Sequence, residues 1–152
     1  MEFNYCRRPT VTVKVGNVAV GSDYPIRLQS MNSTSTTDVE GSVAQALRIA
    51  QAGADIDRLT AQGVREAGAL GEIRSKLREA GCTMPLVADI HFNPRAAFAA
   101  ATRVEKVRIN PGNFVDPGRV FKKIEFTDEE YAAELRKIDD AFGPFVELCK
   151  AN

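Results

Sequence analysis

Histidine is all but missing from these 152 residues: His91 is the only one. Cysteine is scarce as well. Cys6, Cys82 and Cys149 lie far apart with no CxxC pair and an odd count. That argues against a disulfide framework and against a self-contained zinc or iron–sulfur site, and leaves three reduced thiols. No apolar run approaches the length of a membrane span. The N-terminal MEFNYCRRPT carries two arginines but no apolar h-region behind them, so it does not read as a signal peptide, and a cytoplasmic setting is expected. An excess of one charge is missing too. Twenty basic and twenty acidic residues cancel, which removes the global field that nucleic-acid or membrane binding would use. Neither GxGxxG nor the P-loop pattern follows any strand-like segment, so the nucleotide-binding α/β folds lose support.

What remains is an ordinary globular composition, 44% hydrophobic and 26% charged, in a chain long enough for one domain with a real core. TVTVKVGNVAVG, residues 10–21, alternates valines around Gly16-Asn17 and predicts a β-hairpin with a two-residue turn. The rhythm then changes. Strand patterns at 26–31, 56–60, 85–91 and 105–110 alternate with helical ones. Thr37 with Glu40 has the form of a capping box, and Val39, Val43, Leu47 and Ala50 share the helical face that follows, with Gly53 at its end. Leu70, Ile73, Leu77 and Ala80 do the same before Gly81; an Ala-rich helix is expected near 94–101. From Asp128 the spacing of Tyr131, Leu135, Ile138 and Phe142 predicts a helix that Gly143-Pro144 breaks, a short piece resuming to Lys150.

Strand and helix alternate four times, which calls for parallel strands with helical crossovers. The expected fold is α/β, a (β/α) barrel order with the hairpin closing the bottom: one domain, hairpin 10–21 and four βα units over 26–150. Four units are half of an eight-stranded barrel, and half a barrel leaves two bare strand edges and an uncovered sheet face. The expectation is therefore either a fragment of a longer barrel or two copies that close on each other as a homodimer.

Polar residues interrupt each strand near its C-terminal end, two apart and so on one face: Gln29 with Met31, Arg58 with Thr60, Asp89 with His91, Arg108 with Asn110. Taken singly, a strand-end Asp-x-His is often a hydrogen-bonded structural pair and a lone strand arginine a solvated one. Four strands with the same register argue for a shared functional rim, since the C-terminal rim of such a barrel holds the active site. Arg58, His91 and Arg108 are the cationic members. The guanidinium fork matches phosphate oxygens, and an acid two residues before His91 holds its tautomer or favours its charged form. The ligand these residues imply is a compact anion, phosphate or diphosphate. Cys6, Arg7 and Arg8 read as a solvated terminus, and KKIEFTDEEYAAELRK as the wet face of a helix.

QSMNSTSTTDVE, DRLTAQG, LVADIHF and VRINPGN resemble, in order and spacing, the N-terminal barrel of the 4-hydroxy-3-methylbut-2-enyl diphosphate synthase family, over about residues 8–115. The stretch from Phe114 to Lys150 looks like the form of that enzyme with an extra inserted domain. The resemblance implies an iron–sulfur oxidoreductase of the non-mevalonate isoprenoid route that reductively opens 2-C-methyl-D-erythritol 2,4-cyclodiphosphate. It implies that Arg58, His91 and Arg108, with Asn110 beside them, hold the diphosphate; the strand-end pattern adds Gln29 to the substrate-binding set and makes Asp89 and His91 the candidate catalytic pair. It implies a [4Fe–4S] cluster on a separate C-terminal domain, fed by ferredoxin or flavodoxin, whose ligands and catalytic glutamate are not among these residues; no metal and no cofactor are expected in this segment, which should be inactive alone. One departure stands out: IDRLT has Asp57 where the family usually has an apolar residue. Asp57 should face the helices, where an unpaired carboxylate is costly or protonates. The competing classes are a phosphate-ligand barrel of the dihydropteroate synthase type, whose motifs LVADIHF and RINPGN do not resemble, and a free-standing half barrel that dimerises and binds anions.

Overall fold

The computed structural model describes residues 8–115 and 125–152; Cys6 and Arg7 of the expected solvated terminus lie outside them. The hairpin forms as β1 (Val13–Val15) and β2 (Val18–Val20), with Val13 opposite Val20 and Val15 opposite Val18. Gly16 turns the chain with φ +57, a conformation open to glycine at little cost. Four parallel strands then stand in sequence order: β3 (Gln29–Met31), β4 (Ile56–Thr60), β5 (Leu86–Asp89) and β6 (Lys106–Arg108). Their connections carry α1 (Val39–Gln51), α2 (Val64–Glu79) and α3 (Pro94–Ala101), and α4 (Asp128–Ala151) closes the described chain. The expected α/β architecture is the observed one.

The two faces of the sheet are packed differently. On one face Leu59, Leu86, Ala88 and Ile90 meet Ala46, Leu70, Ile73 and Leu77 of the helices in a fully buried core. On the other, Ile56 and Val87 pack against Val15 and Val18, so the hairpin plugs the N-terminal end of the strands. Glu105, just before β6, ties this end together. Its carboxylate accepts from the Leu86 amide at 2.9 Å, Arg74 Nε at 2.7 Å and Arg78 Nη2 at 2.9 Å. Gly16 lies against it so closely that an added Cβ would stand 3.0 Å from Glu105 Cγ.

Three expectations need correction. The cap of α1 is Asp38, whose Oδ1 accepts from the Gly41 amide at 3.0 Å, while the Thr37 hydroxyl is engaged with Ser35. A charged acceptor outcompetes a hydroxyl at a helix N-terminus, and Gly41 makes room, since a Cβ there would meet Asp38 Oδ2 at 2.3 Å. The capping box appears instead at α4, between Thr127 and Glu130. Second, α4 runs unbroken through Gly143-Pro144. The proline removes one backbone hydrogen bond on an exposed side, while Phe142 and Phe145 on either flank pack edge-on and tilted against Phe114 at 5.7 and 5.4 Å. Third, Ala80 is not on the buried face of α2; it ends that helix exposed, with Gly81 following at φ +78.

Candidate functional site

The parallel ladders set the C-terminal strand ends in layers. Met31 pairs with Arg58; one layer up, Thr60 pairs with Asp89 and Asp89 with Arg108. Parallel neighbours share a face, so these side chains converge on the side away from the helices. Asp89 is their hub. Its carboxylate is 94% buried, and three basic side chains reach it: Arg108 Nη1 at 3.1 Å, His91 Nε2 at 3.4 Å and Arg58 Nε at 3.6 Å. Arg108 Nη1 also lies 3.1 Å from His91 Nε2. That ring nitrogen thus faces an acceptor and a donor together. With a proton on Nε2 the imidazole donates to Asp89; without one it accepts from Arg108.

Two arginines against one carboxylate leave the cluster with a surplus of positive charge before His91 is counted. The Arg58 Nε is buried and makes no hydrogen bond to the described residues, its ion-pair distance to Asp89 being too long for one. The other end of that guanidinium, Nη2, donates to Met31 Sδ at 3.1 Å, a weak acceptor. His91, Arg58 and Arg108 keep between a third and two fifths of their side chains open to solvent, so a ligand can reach them.

Of the residues singled out in the sequence, Asp89, His91, Arg58 and Arg108 come together. Asn110 stands exposed just past β6, its carbonyl accepting from the Asn113 amide in the short 3-10 turn of Pro111–Asn113. Gln29 is not brought in: it pairs with Ile56, two residues below Arg58 on its ladder, and sits exposed at the sheet edge. Sequence reasoning passed over Phe92 and Asn93. Phe92 holds φ +56, the one non-glycine residue with positive φ among those described. Asn93 caps α3 by accepting from the Ala96 amide at 3.2 Å and donates to the Gln62 carbonyl at 3.0 Å. Asn-Pro opening an alanine-rich run was a readable signal for that cap.

Beneath the rim, on the helix face as expected, lies Asp57, with no exposed surface. Asn32 Nδ2 donates to its Oδ2 at 3.3 Å, and Oδ1 has no hydrogen-bond partner among the described residues. Desolvation by burial pushes this carboxyl up to about 6, against hydrogen bonds from Asn32 and the Arg58 amide that favour the charge. The same Asn32 ties its own amide to the Arg58 carbonyl at 2.8 Å, so Asp57 and the rim share a support.

Fold and site together define an α/β protein of βα units with a cationic cluster, held on one buried acid, at the C-terminal ends of parallel strands. The chain belongs to the GcpE TIM-barrel domain family, whose model matches residues 10–150. Among curated proteins, the 4-hydroxy-3-methylbut-2-en-1-yl diphosphate synthase (flavodoxin) of Parabacteroides distasonis is 59% identical over 150 residues, 99% of this chain. That of Bacteroides fragilis is also 59% identical over 150 residues and 99% of the chain, and the chloroplastic, ferredoxin-named synthase of Arabidopsis thaliana is 50% identical over 144 residues, 95% of the chain. The chain spans only 24% of the two bacterial proteins and 19% of the plant one.

Proposed function

We propose that this chain is the diphosphate-binding segment of a 4-hydroxy-3-methylbut-2-en-1-yl diphosphate synthase, an oxidoreductase of isoprenoid biosynthesis, and supplies the first four βα units of its eight-stranded barrel. The observation that carries the reading is the convergence of Arg58, His91 and Arg108 on Asp89, at the strand ends where barrel enzymes bind their substrates. Arg58 and Arg108 offer charge-assisted donors to phosphate oxygens, and His91 a further donor when protonated. Asp89 holds the three in one place, so that the ligand meets a preformed set of donors. The substrate is 2-C-methyl-D-erythritol 2,4-cyclodiphosphate, whose paired phosphates present the anion this rim matches.

The reductive step needs electrons, which the relatives' names assign to flavodoxin or ferredoxin. An iron–sulfur cluster is the carrier implied by the family, and the described residues do not fit one. No group of three or more His, Cys, Asp or Glu among them could hold a metal ion, Cys82 is half-buried alone and Cys149 is exposed at the end of α4. The segment described here binds and orients; the redox chemistry belongs to another part of the polypeptide. As an isolated chain, whose outer strands β3 and β6 are each paired on one side only among the described residues, it pairs with a second copy.

Calorimetric titration of the chain with inorganic pyrophosphate and with the cyclodiphosphate tests the binding claim. Saturable one-site binding that weakens with salt is expected; absence of binding by both ligands to the folded chain overturns it. Turnover of the cyclodiphosphate by the whole polypeptide, with reduced flavodoxin or ferredoxin, tests the activity.

A further inference from the structure

We infer that Phe92 is a specificity-determining residue: its ring walls the part of the site that takes the short branched carbon skeleton of a diphosphate ester, beside the rim that takes the anion. The inference rests on the diphosphate-binding reading of the rim. Three observations carry it, and the first is conformational. A bulky residue at φ +56 is strained, and such strain persists only where the surroundings hold it. Here they do. Residue 91 before Phe92 is tied to Asp89 and Arg108, and Asn93 after it is clamped to Gln62 and to the first turn of α3, with Pro94 at the helix start. A turn that needed only its backbone would be served better by glycine or asparagine. The backbone of the turn alone therefore does not account for an aromatic residue here.

The second observation is exposure. Phe92 is 45% accessible, a large apolar residue partly open to solvent at the mouth of a polar site. The third is position. Phe92 lines a cavity of about 410 Å³ with Gln62, His91 and Asn93, and its ring centre lies 6.3 Å from that of His91. One member of the cationic rim thus belongs to the cavity as well, so a ligand whose phosphates engage His91 extends its carbon atoms toward Phe92. The other described residues of the wall, Gln62 and Asn93, are polar and spend polar groups on each other, Asn93 Nδ2 donating to the Gln62 carbonyl. The aromatic face is what distinguishes an organic diphosphate from a bare one.

The test compares two probes on the folded chain: inorganic pyrophosphate, which has no carbon, and 4-hydroxy-3-methylbut-2-en-1-yl diphosphate. Phe92→Gly and Phe92→Asn both suit the left-handed turn and remove the ring. Both variants should bind the organic diphosphate roughly tenfold more weakly, bind pyrophosphate as the parent chain does, and melt no earlier. Phe92→Tyr, which keeps the ring, should restore the preference. If both variants lose affinity for the two probes alike, Phe92 only positions His91 and the inference fails. If neither probe is affected, the ring faces nothing relevant and it fails as well. If the parent chain binds neither probe, the rim reading fails first and this one with it.

Discussion

Asp89 and Arg108 are ladder partners in β5 and β6, and their side chains meet across that register at 3.1 Å, Nη1 donating to Oδ1. The same carboxylate oxygen lies 3.4 Å from His91 and the other oxygen 3.6 Å from Arg58. A buried acid with three basic neighbours, from β4, from β6 and from just past β5, acts as an anchor, and its removal differs in kind from the removal of any one of them.

Arg58→Ala and Arg108→Ala should therefore each weaken pyrophosphate binding by ten- to a hundredfold, about 1.5–3 kcal/mol for one charge-assisted partner. Stability should change by less than about 1 kcal/mol, because the arginine side chains are 32% and 41% exposed and Asp89 keeps the other arginine and His91 beside it in either variant. Melting and titration of the same variants decide the matter. Early melting with normal binding would reduce the cluster to a structural strand end.

Asp57 gives a prediction with a definite sign. Its folded pKa of about 6 is above its ordinary value of 3.8, so the folded state binds the proton more tightly than the unfolded one. Stability contributed at this site is then highest below about pH 4, declines as the pH rises toward 6, and stays low above that. The full difference is about 3 kcal/mol. Asp57→Asn keeps the shape and discards the charge. It should raise stability at pH 7 by about 1–3 kcal/mol and remove the decline between pH 4 and 6, read by urea unfolding at a series of pH values.

Part of that prediction is legible in the sequence. Asp57 between Ile56 and Arg58 had to face the helices because strand side chains alternate, and there it lies. The strand-end pairs Asp89/His91 and Arg58/Thr60 were legible for the same reason. Gln29 obeyed the alternation yet missed the cluster, since periodicity says which face a residue takes but not at what height neighbouring strands align; the ladder puts it level with Ile56. The competition between Thr37 and Asp38 for the cap of α1 turned on space left by Gly41, which no spacing rule carries. The continuity of α4 through Pro144 rests on aromatic contacts with Phe114, which lies 31 residues before Phe145 in the chain.

Glu105 titrates in the opposite sense from Asp57. Burial would push its carboxyl up, but the Leu86 amide together with Arg74 and Arg78 holds it below the ordinary range. Its stabilisation is present above its unfolded pKa and is lost as pH falls through the folded one. Glu105→Gln should lower stability by about 1.5–3 kcal/mol at pH 7 and flatten the acid limb of the stability curve. Binding of pyrophosphate at the other end of the strands should be unaffected in the folded fraction. A pH profile unchanged by the substitution would show that the cluster does not work as an ion pair.

The outer strands make the last prediction. Among the described residues β3 and β6 each pair on one side only, and Ile26 and Leu28, leading into β3, are 76% and 59% exposed. An apolar, unpaired edge invites another strand. Because all four strands are parallel, a two-fold axis running along them sets the β6 edge of one copy beside the β3 edge of the other in parallel, and closes both gaps at once. The isolated chain should scatter light with twice its 16.6 kDa mass at micromolar concentrations. Lysine at both Ile26 and Leu28 puts two charges on the edge and should shift the population to monomer without loss of helical signal, since neither side chain is part of the buried core. A parent chain that stays monomeric at high concentration would show that these edges are protected without a partner, and a dimer indifferent to the lysines would place the contact elsewhere.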